Sequence, residues 1–221
     1  TRGHIEALTE KHKMEKQLDE VRLQMLKNQI NPHFLFNTLN MIASTAQIED
    51  AAATEKMIHA LSRLFRYNLK STDSVMPLER ELKVVQDYMY LQQMRFGQRI
   101  RYDTDCNQDT LEVLVPSFAL QPLVENAIIH GISPKGQGGR IHVRSWMEGR
   151  RLWISVADTG RGMARERLEE IRRALARGEE KATGVGVGNI YRRVHGMYQD
   201  GEIFIYSSEG RGTVVQMAFT P

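Results

Sequence analysis

Met14, Leu18, Val21 and Met25 recur at steps of four, three and four, the spacing of a helical seam that packs on a partner helix. The stretch up to Asn28 holds no proline, and Phe34, Leu35, Leu39 and Ile42 resume an apolar pattern after Pro32. One long helix is therefore predicted from Ile5 to about Ala46. Pro32 has no N–H to donate and its ring crowds the preceding turn, so a kink is expected just before His33. His33 and Asn37 are four residues apart and share a helix face. After a turn at Glu49-Asp50, Met57, Leu61, Leu64 and Asn68 mark a second seam, widened by Ile58, Phe65 and Leu69. A hairpin of two such helices leaves a long apolar face uncovered. Pairing with a second copy into a four-helix bundle covers it, so a homodimer is predicted.

Ser71 to Met76 reads as a polar linker, and Pro77 suits the first position of a third helix with Glu79 and Glu81 in its first turn. Leu78, Leu82, Val85 and Met89 give that helix its apolar face, to about Phe96-Gly97. From Ile100 the pattern shortens. Arg101 to Thr104 and Leu111 to Val115 read as strands around a polar turn, and Ser117 to His130 as a helix capped by Ser117 and stopped by Gly131. Ile141, Val143 and Ser145 alternate, and Leu152, Ile154 and Val156 return after Glu148-Gly149 as a hairpin. A charged helical stretch follows, then a glycine loop, a helix from Asn189 to Tyr198, and strands Ile203 to Ser207 and Thr213 to Phe219. The order implies an α+β chain: a helical hairpin over 1–72, a linking helix over 73–99, and helices layered on a mixed sheet over 100–221.

Composition narrows the function classes. The formal charge is +3 over 221 residues, with both signs interleaved, which gives little support to nucleic-acid binding. Cys106 is the single cysteine, so neither an intrachain disulfide nor a cysteine metal cluster is available. No run of about 18 apolar residues occurs. The chain opens in mid-helix pattern, which is expected of a piece whose upstream segment is missing.

Three motifs carry complementary chemistry. In Gln121-Pro122-Leu123-Val124-Glu125-Asn126-Ala127-Ile128-Ile129-His130-Gly131, Asn126 and His130 project together, and a neutral amide oxygen suits Mg²⁺ beside phosphates. Asp158-Thr159-Gly160-Arg161-Gly162 follows an apolar strand; its carboxylate can accept from an adenine amino group while two glycines let the backbone approach. Gly184-Val185-Gly186-Val187-Gly188-Asn189 places glycines before a helix N-terminus, a site that favours phosphate. No Walker lysine accompanies it, so a P-loop is excluded. Each motif alone fits an ordinary turn or helix end.

The stretch Asn31-Pro32-His33-Phe34-Leu35-Phe36-Asn37, followed by Leu39-Asn40, resembles the phosphoacceptor signature of the LytS-type sensor histidine kinases, and the three later motifs resemble the N, G1 and G2 boxes of GHKL ATPases in the expected order. The resemblance implies a dimerisation and phosphotransfer hairpin followed by a Bergerat-type α/β sandwich. It implies ATP and Mg²⁺ as cofactors, with Asn126 on the metal, Asp158, Gly160 and Gly162 around adenine, and Gly184, Gly186 and Gly188 on the phosphates, His130 and Asn189 completing the set. It implies autophosphorylation of His33, transfer to a response-regulator aspartate, often of a LytTR-type regulator, and a location on the cytoplasmic side of a bacterial membrane sensor. Met163 to Thr183, rich in arginine and glutamate, reads as a solvated helix suited to a mobile ATP lid. Glu125 is the candidate partner of His33 or general base, since Phe34 occupies the place after the histidine where other families carry an acid. Asn37 is a candidate for orienting water in a phosphatase step, or for bonding the carbonyl freed by Pro32.

Ile129 departs from the family pattern, which commonly has lysine there; Lys135 or a lid arginine is the candidate substitute for its charge. That departure keeps open a kinase-inactive scaffold switched by ATP. A GHKL ATPase driving a clamp is disfavoured, because no glutamate stands four residues before Asn126 to activate water.

Overall fold

The computed structural model describes residues 32–70, 74–177 and 185–221, and the chain divides into two compact units between Lys70 and Ser71. In the first unit, helix α1 (Pro32–Ile48) and helix α2 (Ala52–Lys70) pack on each other across a tight turn. Asp50 adopts φ 57° in that turn, and the Ala51 N–H donates to Ala46 O at 2.7 Å. Leu39, Ala43 and Ala46 are buried at steps of four and three, with Ala60 and Leu64 of α2 also buried. The alanines present little side-chain bulk, which permits close helix packing. The expected apolar face is thus shifted: Ile42 is 44% exposed, as are Met41 at 64% and Ile48 at 86%. His33 falls within α1. The predicted seam from Met14 to Met25, the helix upstream of Pro32, the kink and residues 71–73 of the expected linker lie outside the described residues.

The second unit begins with a strand the alternation did not announce. Strand β1 (Val75–Pro77) pairs antiparallel with β3 (Leu114–Pro116), Met76 opposite Val115. Pro77 is the cap residue just before helix α3 (Leu78–Phe96), and Gly97 at φ 64° closes it. Leu78, Val85 and Met89 are each no more than 1% exposed within the core of this unit. Each such burial contributes roughly 1.5–3 kcal/mol, so α3 packs on the sheet-bearing unit.

The main sheet runs in the order β2 (Ile100–Cys106), β4 (Gly139–Glu148), β5 (Arg151–Asp158), β7 (Gly212–Phe219), β6 (Glu202–Ser208). Strand β2 is parallel to β4 and the other pairs are antiparallel. The β4–β5 hairpin matches the alternation, with Ile141, Val143, Leu152 and Ile154 fully buried, and the last two expected strands pair as β6 and β7. The expected pairing of β2 with β3 does not form. A 3₁₀ turn at Gln108–Thr110, pinned by the Asn107 N–H to Ser145 O at 3.0 Å, diverts the chain, and β3 joins β1 instead.

Helices cover one face. Helix α4 (Gln121–Asn126) starts later than expected: Ser117 is buried three residues before the cap position, where Leu120 stands without a side-chain bond. Nor does Gly131 stop it, because the chain continues as a π-helical turn, Ala127–Ile132, and a 3₁₀ turn, Ser133–Lys135. Helix α5 (Arg165–Ala176) is the charged stretch; it is not solvated all round but buries Leu168, Ile171, Ala174 and Leu175. Helix α6 (Val185–Met197) starts four residues before Asn189.

Candidate functional site

Asp158 ends β5, and its Oδ1 accepts the Gly160 N–H at 2.7 Å. Burial raises its carboxyl above the ordinary range, against the N–H groups of Gly160 and Thr213 and the charge of Lys135, which lower it. A carboxylate has about four acceptor sites, so two backbone bonds leave capacity toward the cavity that Asp158 lines. Two glycines make this corner possible. A Cβ on Gly131 would stand 2.7 Å from Asp158 Oδ1, and one on Gly160 would stand 2.2 Å from the carbonyl carbon of Gly131. The close approach at Gly160 is therefore to the π-helical turn, and Gly160 is not on the cavity wall, whereas Gly162 is. Gly162 takes φ +66°, and a Cβ there would meet Ser208 O at 2.0 Å.

The opposite side is built by α4 and α6. Asn126, Glu125 and His130 line the same cavity as Asp158, with Gly186 and Asn189 from α6. A Cβ on Gly186 would lie 2.5 Å from Asn126 Nδ2, so the first and third sequence motifs close on each other. The glycines were expected in a loop ahead of the helix; Gly186, Gly188 and Asn189 instead lie in its opening turns, and Gly188 is buried off the wall. Gly184 lies outside the described residues. Glu125 is held by Gln121, whose Nε2 donates to its Oε1 at 2.8 Å. Burial first, and the Glu125 charge second, push the nearby Tyr88 hydroxyl up to about 12, so it stays protonated at neutral pH.

The cavity measures about 710 Å³, within the span of roughly 300–1,000 Å³ usual for small-molecule sites. Its polar groups suit a nucleotide: a carboxylate in a glycine corner, a helix start, and an amide beside a carboxylate for a metal that keeps water and phosphate oxygens. Among the described residues no three His, Cys, Asp or Glu side chains cluster to hold a metal alone. Ile129 is 55% exposed. Lys135 is not on the cavity wall, and its Nζ donates to Thr159 O at 2.9 Å. Among the described residues the lining guanidinium groups are Arg161, Arg167 and Arg193, of which Arg167 comes from the expected lid.

Sequence reasoning missed Phe118, Arg193 and Glu81. Phe118 lines the cavity at φ 60°, which no sequence signal marks in a phenylalanine. Arg193 is seven residues after Gly186, a helical repeat visible only once α6 is known to start at Val185. Glu81 was read as a first-turn acid, yet it is fully buried and accepts the N–H groups of Phe118 and Leu120, both at 3.0 Å.

Residues 21–100 match the family model described as histidine kinase, and residues 116–221 the one described as histidine kinase-, DNA gyrase B-, and HSP90-like ATPase. The sensor histidine kinase YpdA of Escherichia coli is 34% identical over 184 residues, covering 83% of this chain and 32% of that protein. The sensor protein LytS of Staphylococcus saprophyticus is 34% identical over 197 residues, covering 89% and 33%. LytS of Oceanobacillus iheyensis is 33% identical over 210 residues, covering 94% and 36%. The chain spans about a third of the length of these relatives.

Proposed function

Because the chain belongs to the LytS-type sensor histidine kinases, we propose that it phosphorylates itself on His33 from Mg-ATP and passes the phosphoryl group to an aspartate of a response regulator. The observation that carries this reading is the single cavity in which Asp158, Asn126 and Gly186 meet. Asp158 accepts from the adenine amino group. The start of α6, with Gly186 and Asn189 on the cavity wall, is assigned to the phosphates, where backbone N–H groups and the helix dipole favour anions, and Gly188, buried off that wall, is not. Asn126 holds Mg²⁺, with Glu125 and His130 beside it. The ion supplies charge neutralisation on the phosphate oxygens.

In the reaction an imidazole nitrogen of His33 attacks the γ-phosphorus, the bond to the ADP oxygen breaks, and the N–P bond forms. His33 must be neutral at that nitrogen. Glu125, oriented by Gln121, is assigned the role of accepting the proton from the other ring nitrogen or fixing its tautomer. The catalysis is otherwise positional and electrostatic. Asn37, one turn after His33, is assigned to water in dephosphorylating the receiver. The kinase-inactive reading gains nothing from the relatives, all of which are named as sensors or sensor kinases.

The exposed Met41, Ile42 and Ile48 support a homodimer through the hairpin; light scattering that finds only monomer at micromolar concentration counts against it. The receiver is assigned to the LytTR type, and the chain to the cytoplasmic side of a membrane sensor. Among the described residues no helix is long and apolar enough to cross a membrane. Mapping the phosphorylated peptide after incubation with Mg-ATP tests the proposal. Phosphate on the peptide carrying His33 agrees with it, and phosphate confined to hydroxyl residues contradicts it.

A further inference from the structure

We propose that Arg193 is the cation that grips the triphosphate in this cavity, an assignment that rests on the nucleotide reading above. A bound triphosphate calls for charge-assisted donors, and among the described residues three guanidinium groups line the wall. Arg167 is committed to Glu170, Nη1 to Oε2 at 2.5 Å. Arg161 belongs to the Asp158 corner: its backbone N–H donates to Gly131 O at 2.9 Å and its Nε to His130 O at 3.0 Å. Arg193 stands on α6 two turns after Gly186, on the face that meets Asn126.

Its seat leaves the charge available. Arg193 Nη1 donates to Ser117 O, and the guanidinium carbon lies 5.4 Å from the centroid of the Phe118 ring. A neutral carbonyl and an aromatic face orient the group without neutralising it, and no carboxylate pairs with it among the described residues. A guanidinium has five N–H donors, so most remain for phosphate oxygens. The seat itself is fixed from below. Phe118 is held at φ 60° while the fully buried Glu81 of α3 accepts the Phe118 and Leu120 N–H groups. Glu81 thus acts as a positioning residue, and α3 fixes the turn that aims Arg193.

The test is titration of the full chain with Mg-ATP and with adenosine, for wild type, Arg193→Gln and Arg193→Lys. Losing a charged hydrogen-bond donor to phosphate predicts an ATP affinity about ten- to a hundred-fold weaker in Arg193→Gln, with adenosine binding unchanged. Arg193→Lys should recover part of the loss, because it restores charge without the planar fork. Equal losses for ATP and adenosine would mean that Arg193 only props the Ser117–Leu120 turn, and unchanged ATP affinity would mean it does not reach the phosphates; either overturns the assignment. Wild type that binds neither compound overturns the nucleotide reading itself, an outcome separate from both.

Discussion

Gly186 lies so close to Asn126 that a Cβ on the glycine would stand 2.5 Å from the asparagine Nδ2. The obstructed atom is the end of a side chain, so Gly186→Ala should fold, with Asn126 turned away. Alanine is the better helix former by about 1 kcal/mol. The variant should therefore melt no lower than wild type while binding Mg-ATP about ten-fold more weakly, a loss of about 1.4 kcal/mol. Calorimetric titration beside a thermal melt checks both signs; unchanged affinity would separate Asn126 from the nucleotide.

Asp158 predicts a pH dependence of stability. Burial places its folded-state pKa above the ordinary carboxylate value, so the folded chain holds that proton more tightly than the unfolded chain. The resulting stabilisation is complete below the unfolded value of about 4 and is lost as pH rises through the folded value. Urea unfolding of wild type against Asp158→Asn should show the wild-type advantage shrinking with rising pH across that window and flat beyond it. An advantage that grows with pH there contradicts the assignment.

Glu81 predicts a structural cost far from any ligand. Glu81→Ala leaves the Phe118 and Leu120 N–H groups without their acceptor, each unsatisfied donor costing about 1–3 kcal/mol. Urea unfolding should place the variant about 2–5 kcal/mol below wild type, and a loss under about 0.5 kcal/mol, the ordinary range for a surface change, would mean that the turn holds itself.

Much of this arrangement was legible in the sequence because it depends on local pattern. Period-two alternation gave the β4–β5 hairpin, the glycine-bearing turn from Glu209 to Gly212 gave the β6–β7 hairpin, and motif order placed Asn126, Asp158 and Gly186 together. What was not legible depends on partners far along the chain. Strand β3 is three residues long and meets β1, whose own pattern is too short to read. The π-helical turn after Asn126 leaves Gly131 inside the helical run, where glycine ordinarily signals an end. Gly160 was read as making room for a ligand, whereas it makes room for Gly131.

Glu125 and Asn37 separate two halves of the phosphoryl chemistry. Glu125→Gln should slow autophosphorylation by about 10²–10⁴-fold, the usual worth of a positioned base, with Mg-ATP binding nearly unchanged; an unchanged rate removes Glu125 from the chemistry. Asn37→Ala should slow dephosphorylation of the receiver while sparing autophosphorylation, and equal loss of both would refute its role.

The most direct test of the central claim is incubation of the purified chain with γ-labelled Mg-ATP, wild type beside His33→Gln and Asn126→Ala, followed by acid and alkali treatment of the label. The account predicts label on wild type that is acid-labile and alkali-stable, as phosphohistidine is, and absent from both variants. Label that survives His33→Gln, or wild type that binds Mg-ATP and takes up none, would contradict it.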